Sequence, residues 1–270
     1  MNVLMIGAHR DDCEVFGGGT AALFTSRGHD VKFISTTNGD AGHHALTGEA
    51  LVARRSKETI EAAQVLGVSY EILDNHDGQL VADLKNRNLI IQKIREWQAD
   101  IVITHRPNDY HPDHRYTSQL VQDAAYMVMV PNVVMNIPPL HKNPIFLYFQ
   151  DHFRKPYPFE PHIVLDISES YDAKIRALHA HDSQFYEWLP WIEDKLEEVP
   201  ESPEARIKWL KKNFTAKPGK SLRKVLKWYY GDQQGKNVKH AEAFEICEYG
   251  HQPSEKEIRE LVRALASREP

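Results

Sequence analysis

Cysteine and long apolar runs are both scarce in this sequence. Only Cys13 and Cys247 occur in 270 residues, too few for the disulfide framework that stabilises small secreted domains. No uninterrupted apolar run is long enough to cross a bilayer. The first residues also lack the basic lead-in and cleavage pattern of a secretory leader. We therefore expect a cytoplasmic protein without a membrane span.

The sequence also lacks an excess of basic charge. It has 33 Lys and Arg against 38 Asp and Glu, which gives a formal net charge of −5. A nucleic-acid-binding protein would show a concentrated basic face, so no nucleic-acid partner is expected. Histidine, in contrast, is frequent, with 15 copies against 5 Met and 5 Trp. Because histidine is the commonest metal ligand and the usual acid–base group near pH 7, this count directs attention to metal or acid–base chemistry.

Short apolar runs alternate with helical patterns through the first half of the chain. This alternation predicts a Rossmann-like α/β fold, with a doubly wound, mostly parallel sheet and helices on both faces. Ligand sites in such sheets lie at the carboxyl ends of the strands. The predicted strands are 3–6, 31–35, 70–73 and 100–104, and the predicted helices are 20–27, 51–66, 89–97 and 117–127.

The second half is less regular. Strands are predicted at 145–149 and 163–167, and a helix at 171–181. Residues 188–239 then combine many Lys and Glu with four tryptophans and several prolines, which predicts a helical insertion or lid within a single domain of residues 1–270. Tryptophans in such helices are most often core residues, although some are candidates for contact with a carbohydrate. The four are Trp188, Trp191, Trp209 and Trp228.

Two clusters of ionisable residues follow predicted strands, at 8–14 (AHRDDCE) and 108–114 (NDYHPDH). Each alone is compatible with helix caps and turns, but two clusters at equivalent strand ends favour a binding site, because unpartnered charges are costly to desolvate. The mixture of imidazoles and carboxylates suits a divalent metal. Catalytic zinc takes three protein ligands and leaves one position for water. The candidate ligands are His9, Asp12 and His114.

The same strings resemble the signatures of a known family. AHRDDCE, followed by GGGT at 17–20, and HPDH at 111–114 resemble those of the LmbE-like, or PIG-L, metal-dependent N-deacetylases. Similar strings continue in order to about residue 185, including TNGDAG, VLDIS and HDSQ. The family usually has proline where this chain has Arg10. The resemblance implies a zinc-dependent hydrolase that removes the acetyl group from an N-acetylated sugar or sugar conjugate of the N-acetylglucosamine type.

The resemblance also implies roles for individual residues. It gives His9, Asp12 and His114 as the zinc ligands, and Asp11 as the general base that takes a proton from water activated by the metal. It makes His111 a charged donor that stabilises the oxyanion. Asp113 is then expected to orient His111 and to keep it protonated.

Contacts to the substrate are expected from three further residues. Arg55 lies in a family-like position, although it could equally be a solvated helix residue. Asp77 could bind sugar hydroxyls or simply form the turn that Asp-Gly favours. Arg10 offers a guanidinium to an anionic substrate. Further candidates for the pocket lining are His43, His44 and His181.

Other functions stay open from the sequence. The same catalytic set would serve a metal-dependent hydrolase of another amide or of an ester. A non-catalytic Rossmann-like binding protein is the alternative from a different class, but Gly17–Gly19 lack the G-x-G-x-x-G spacing of dinucleotide sites. The expected partner is a small molecule, and the family resemblance makes a homo-oligomer plausible.

Overall fold

A computed structural model describes residues 1–265. In this part of the chain, seven strands form one sheet in the order β3-β2-β1-β4-β5-β7-β6. The neighbours from β3 to β5 run parallel, whereas β7 is antiparallel to both β5 and β6. The predicted mostly parallel α/β sheet is therefore confirmed. The strands are β1 (Asn2–Gly7), β2 (Asp30–Thr37), β3 (Ser69–Asn75), β4 (Ile101–Thr104), β5 (Ile145–Phe149), β6 (Ile163–Asp166) and β7 (Ala241–Gly250).

The helices complete the predicted alternation, but several begin earlier than the apolar pattern indicated. The two that matter most for the site start at Asp12 and Pro112, so both ionisable clusters run into the first turn of a helix. No helix within residues 1–265 is long and apolar enough to cross a bilayer. The helices are α1 (Asp12–Ser26), α2 (Gly48–Leu66), α3 (Leu84–Trp97), α4 (Pro112–Met127), α5 (Tyr171–Ala180), α6 (Leu189–Ile192), α7 (Pro203–Asn213), α8 (Lys220–Tyr230), α9 (Asp232–Asn237) and α10 (Glu255–Leu265).

Both faces of the sheet are covered, as predicted. Alternate residues of β1 belong to different apolar clusters, with Val3 and Met5 on one face and Leu4 and Ile6 on the other. Helices α1, α2 and α5 contact one another, as do α3 and α4. Because side chains alternate along a strand, fully apolar strands of this kind require a helical layer on each side.

The glycine run 17–19 lies inside α1 and not in a loop. A Cβ on Gly19 would approach the Ile167 side chain to 2.6 Å, and one on Gly17 would approach Met5 Sδ to 2.8 Å. These glycines therefore allow close packing of the helix on its neighbours. Their position in the helix removes the main support for the dinucleotide-binding alternative, which requires a glycine-rich turn in front of the helix.

Strand β7 escaped prediction because its sequence, AEAFEICEYG, carries glutamates among its apolar residues. Glu242 and Glu245 are nevertheless buried. Glu242 forms an ion pair of 2.6 Å with the buried Lys174 and accepts the backbone N–H of Thr20 at 2.7 Å. Glu245 lies 3.4 Å from Arg106 Nε. The partners that permit this burial are distant in sequence, so the strand lacks the usual local pattern.

The segment 188–239 is helical, as expected, and contains α6 to α9. It begins directly after a π-helical turn, Gln184–Trp188. Helix α7 packs on α5, and α8 packs on β6. Trp188 at its start and Phe214 after α7 both reach the main cavity of the protein, so the segment covers part of that cavity.

Arg95 holds in place the segment that follows α4. Its side chain is fully buried, and its Nε donates to the carbonyl of Val128 at 3.0 Å, immediately after the helix. A cation at the carboxyl end of a helix is stabilised by the helix dipole. The other five carbonyls that accept from Arg95 belong to Met127, Val130, Val133, Val134 and Ile137.

Arg95→Leu is expected to lower the free energy of unfolding by at least about 3 kcal/mol, because each buried carbonyl without a donor costs roughly 1–3 kcal/mol. Urea unfolding followed by circular dichroism measures the change. Lys85→Leu, at an exposed position of the same helix, is the matched control and should change stability by no more than about 0.5 kcal/mol. Equal losses in the two variants would contradict the role given to Arg95.

Candidate active site

The two ionisable clusters meet where β1 and β4 end side by side. Strand β1 lies between β2 and β4 in the sheet, so the chain leaves these neighbouring strands toward opposite sides. This topological switch point is where doubly wound sheets bind their ligands. Residues 8–14 follow β1, and residues 105–114 follow β4. The topology therefore brings together two loops that are about a hundred residues apart in the sequence.

The three predicted metal ligands converge. His9 Nδ1 lies 3.2 Å from His114 Nε2 and 3.5 Å from Asp12 Oδ2. Asp12 Oδ1 lies 3.4 Å from His114 Nε2. Ligand atoms held about 2.0–2.2 Å from a tetrahedral zinc ion are separated by about 3.3–3.5 Å. Each pair in the triad therefore approaches at a distance compatible with a shared divalent ion, and Asp12 meets the two imidazoles with different oxygens.

The electrostatics of this triad favour a cation. Burial opposes a charged ring at His9, but hydrogen bonds to Asp113 and Asp12 outweigh it and raise the pKa of His9 to about 10. His114 behaves similarly: burial opposes the charge, Asp12 and Asp109 favour it, and its pKa rises to about 9. The surrounding carboxylates thus stabilise positive charge at the point where the three side chains meet, as a metal site requires.

Each imidazole of the triad also has a carboxylate at its other nitrogen. Asp113 Oδ2 lies 3.3 Å from His9 Nε2 and accepts the Gly78 N–H at 2.6 Å. Asp109 Oδ1 lies 3.1 Å from His114 Nδ1. Metal-binding histidines almost always have such a partner, which fixes the ring orientation and the tautomer. The donor set, its spacing and its support therefore all fit a divalent metal such as zinc.

His105 is a further residue of the site, and no role was predicted for it from the sequence. It follows β4 directly, and its buried ring stacks on His114 with a centroid distance of 4.0 Å and an interplanar angle of 9°. Its Nε2 lies 3.1 Å from Asp12 Oδ2. Two groups of side chains have donor atoms within 4.8 Å of one another, one formed by His9, His111 and His114 and the other by Asp12, His105 and His114, and the predicted triad draws on both. The position of His105 directly after a central strand is the feature of the sequence that could have indicated its role.

Asp11, the predicted general base, lies on the wall of the cavity beside the triad. Arg55 Nη2 donates to Asp11 Oδ1 at 3.0 Å, and Arg55 Nη1 lies 3.5 Å from Asp77 Oδ2. Asp77 also accepts the Gly39 N–H at 2.9 Å, which holds the loop after β2. The structure therefore brings Asp11, Arg55 and Asp77 together, with Arg55 fully buried between the two carboxylates.

His111 lies in the same cavity, but its environment differs from the expected one. As the N-cap of α4, its Nδ1 accepts the Asp113 N–H at 3.2 Å, so the proton of a neutral ring is on Nε2. The Asp113 carboxylate lies 3.9 Å from His111 Nδ1 and is closer to His9. Burial, together with His9 and His114, lowers the pKa of His111 to about 4. The ring is therefore neutral at pH 7, whereas a charged ring held by Asp113 was expected.

Arg10, the third residue expected to contact substrate, is not among the described residues that line the cavity. It is buried, and its Nη1 donates to the Val52 carbonyl at 3.2 Å and to Ser56 Oγ at 2.8 Å, both on α2. This arginine therefore anchors the loop after β1 to α2.

The three remaining candidate histidines occupy different positions. His181 is fully buried and lies 3.1 Å from the equally buried Glu14, outside the cavity wall among the described residues. His43 is buried in the loop after β2 and bonds Glu187 at 2.8 Å. His44 is exposed next to it.

The cavity has a volume of about 350 Å³, near the lower end of the range of ligand sites. The metal triad and Asp11 line this cavity together with apolar and aromatic side chains, of which Trp188, Leu189 and Phe214 come from the segment after α5. Trp188, one of the tryptophans considered for carbohydrate contact, also lines the cavity. The cavity residues absent from the sequence-based prediction are Val15, Phe16, Ala41, Gly42, Gly78, Tyr110, Gln184, Leu189 and Phe214.

The chain is similar in sequence to a known protein family and to individual proteins of that family. Residues 4–125 match the PIG-L family, described as GlcNAc-PI de-N-acetylase. Diacetylchitobiose deacetylase from Thermococcus kodakarensis is 31% identical over 206 residues, which is 70% of this chain and 74% of that protein. The chain belongs to the PIG-L, or LmbE-like, deacetylase family. The resemblance inferred from AHRDDCE and HPDH is therefore confirmed.

The structure agrees with that of a PIG-L relative. N,N'-diacetylchitobiose deacetylase from Pyrococcus horikoshii, in complex with its inhibitor MPG, has a TM-score of 0.67 and 25% identity, and the match covers 91% of this chain and 83% of that chain. A further relative is named 4-oxalmesaconate hydratase, from Pseudomonas putida, with 26% identity over 69% of this chain and 75% of that protein. The choice of reaction therefore rests on the site itself as well as on the family.

Proposed function

We propose that this protein is a zinc-dependent deacetylase that hydrolyses the acetamide of an N-acetylated sugar or sugar conjugate of the N-acetylglucosamine type. The observation that carries the proposal is the convergence of His9, Asp12 and His114 beside the carboxylate of Asp11. All four line one cavity. An amide is a poor electrophile with a poor leaving group, so its hydrolysis requires a Lewis acid, a base and an acid together.

The metal is assigned to His9, Asp12 and His114. When bound, zinc polarises a carbonyl and lowers the pKa of a water molecule. Asp113 and Asp109 hold the two imidazoles from the side opposite the triad. This arrangement keeps both rings oriented before the metal arrives, which limits the entropy lost on binding.

Asp11 is assigned as the base. One oxygen, Oδ1, receives the Arg55 hydrogen bond at 3.0 Å, which fixes the carboxylate and leaves Oδ2 for the attacking water. Water adds to the acetyl carbon, and Asp11 takes the proton. The same proton then passes to the nitrogen as the C–N bond breaks, which gives acetate and a free amino sugar.

His111 is assigned to the developing oxyanion. Because its Nδ1 accepts from the backbone, the ring offers an Nε2–H without carrying a charge. Such a donor, fixed in advance, stabilises negative charge that forms only during the reaction. Arg55 and Asp77 also line the cavity, and they are assigned to the substrate in addition to the contacts of Arg55 with Asp11 and Asp77.

The competing reactions use the same water-activating residues. The hydratase relative and the ester alternative are both compatible with the triad and Asp11. Two features favour an N-acetylated sugar. One is the higher identity to a diacetylchitobiose deacetylase. The other is the combination of aromatic and polar side chains in the cavity lining, which suits the apolar face and the hydroxyl groups of a sugar ring.

Release of acetate and of a free amine from N-acetylglucosamine and from N,N'-diacetylchitobiose tests the proposal. The purified protein with zinc is expected to release both products in equal amounts, and chelator treatment should abolish release until zinc is restored. Undiminished turnover after complete removal of the metal would overturn the metal assignment. Cleavage of acetyl esters with no release from either sugar would overturn the substrate class.

A further inference from the structure

We propose that a basic depression on the surface of the protein binds a ligand that carries a diphosphate group. The inference goes beyond the proposed deacetylase function and does not depend on it. None of the described residues that line this depression also lines the catalytic cavity. The basic depression, about 520 Å³ in volume, is defined by four lysines and two hydroxyl side chains: Lys211, Lys212, Lys217, Lys239, Ser168 and Thr215.

Positive charge is concentrated in one segment of this acidic protein. Residues 205–240 contain 11 Lys and Arg and one acidic residue, whereas the rest of the chain contains 22 Lys and Arg and 37 acidic residues. The formal charges are therefore +10 for the segment and −15 for the remainder. The net charge of the whole chain conceals this asymmetry, which is typical of a segment with an anionic partner.

The fold gathers four cations of this segment in the basic depression. Lys211 and Lys212 lie in the last turn of α7. Lys217 lies between α7 and α8, and Lys239 lies shortly before β7. The carboxylate among the described lining residues, Asp172, is 2.7 Å from Lys211 Nζ. The other three lysines form no ion pair within residues 1–265, so their charges together favour an anion from solution.

The floor of the basic depression is rigid and offers a hydroxyl group. Ser168 Oγ accepts the backbone N–H groups of Lys239 and His240, both at 3.2 Å, so its own hydrogen is available to a ligand. The His240 ring stacks on Tyr171 at 3°, with centroids 3.6 Å apart. Its Nδ1 donates to the Thr215 carbonyl at 2.6 Å. Groups fixed in this way lose little entropy when a ligand binds.

The charge of the basic depression matches that of two phosphate groups. One phosphate group carries about −1.5 to −2 charges at pH 7, so two carry roughly −3 to −4. The three lysines without an ion pair supply a charge of +3. Ammonium and hydroxyl groups are donors, and phosphate oxygens accept several hydrogen bonds each. A single phosphate or carboxylate group would leave part of the positive charge without a counter-charge.

The basic depression adjoins the chain segment that carries Phe214, a residue of the catalytic cavity. Thr215 lines the depression and follows Phe214 directly. The Tyr171 hydroxyl donates to the Phe214 carbonyl at 2.9 Å. Because Lys217 is only two residues further along, a ligand bound to it is expected to restrain this segment. Slower amide hydrogen exchange in residues 211–217 would therefore report occupation of the depression.

Calorimetric titration of the purified protein with inorganic pyrophosphate tests the site. The double variant Lys212→Gln/Lys239→Gln removes two of the three unpaired charges and is expected to raise the Kd about tenfold. Lys220→Gln/Lys224→Gln is the matched control, because it removes the same charge from exposed positions of α8 outside the depression. The control should change the Kd by less than about twofold. Equal weakening in both variants would show attraction to the basic segment as a whole and overturn the site.

Pyrophosphate also binds metal ions, so the His114→Ala variant separates the depression from the proposed metal site. This variant is expected to lose the metal and should bind pyrophosphate with the wild-type Kd. Loss of binding there would place the anion at the metal and overturn the inference. Amide exchange in residues 211–217 should slow on addition of pyrophosphate in the wild type but not in Lys212→Gln/Lys239→Gln. Unchanged exchange in the wild type would likewise contradict the site.

The choice of anion tests the chemical class of the ligand. Inorganic phosphate should bind at least about tenfold more weakly than pyrophosphate, because it forfeits at least one charge-assisted contact. Equal Kd values for the two anions would overturn the diphosphate assignment. Titration with ADP distinguishes the sources of a diphosphate group. Binding of ADP at least as tight as that of pyrophosphate supports a ligand with a substituted diphosphate, and weaker binding supports the free ion.

Discussion

An Asp11→Asn variant is expected to bind its metal normally and to lose deacetylase activity by a factor of about 10²–10⁴, the usual contribution of a positioned general base. The amide is nearly the same size as the carboxylate and still accepts the Arg55 hydrogen bond, which measures 3.0 Å in the wild-type protein. It cannot take a proton from water. The change therefore removes the base without removing the contact that holds the side chain.

Steady-state acetate release and metal content by mass spectrometry together measure this effect. Asp74→Asn is the control, because it neutralises one carboxylate at an exposed position of β3. The control should keep both activity and metal. Retention of full activity by the Asp11 variant would show that another group takes the proton, and loss of its metal would show that Asp11 is part of the ligand set.

The central part of the fold was predictable because its signals are local. Val3 to Ile6 and Ile101 to Thr104 form buried parallel strands and therefore appear in the sequence as short apolar runs. The helix starts at Asp12 and Pro112 were missed because their first turns carry functional residues in place of an apolar stripe. Strand β7 was missed because Glu242 is buried against distant partners, namely Lys174, which lies 68 residues away, and the backbone N–H of Thr20.

The site was predictable to the extent that it lies in short motifs. The motifs AHRDDCE and HPDH contain the candidate ligands His9, Asp12 and His114, and the topology of the sheet places these residues together. The carboxylates that support the two imidazole rings, in contrast, could not be predicted from short motifs. Asp113 contacts His9, 104 residues away, although sequence proximity suggested His111. The same holds for His44 and Trp191, whose rings stack although they lie far apart in the sequence.

A His114→Ala variant is expected to lose both the metal and the activity. His114 is the ligand shared by both metal-binding groups, that with His9 and His111 and that with Asp12 and His105. Its removal leaves at most two ligands of the proposed triad, fewer than the three that catalytic zinc requires. Zinc content after dialysis measures the loss directly, and circular dichroism establishes that the protein compared is folded.

Two further variants show whether that loss arises from the ligand itself. His141→Ala removes an exposed histidine and should leave zinc content and activity unchanged. Asp109→Asn keeps all three ligands but weakens the carboxylate 3.1 Å from His114 Nδ1, so zinc affinity should fall by about 10–100-fold without being abolished. A graded order, with His141→Ala like wild type, Asp109→Asn intermediate and His114→Ala lowest, is what a ligand with a supporting carboxylate requires. If His114→Ala held zinc as tightly as the wild type, the triad would be wrong.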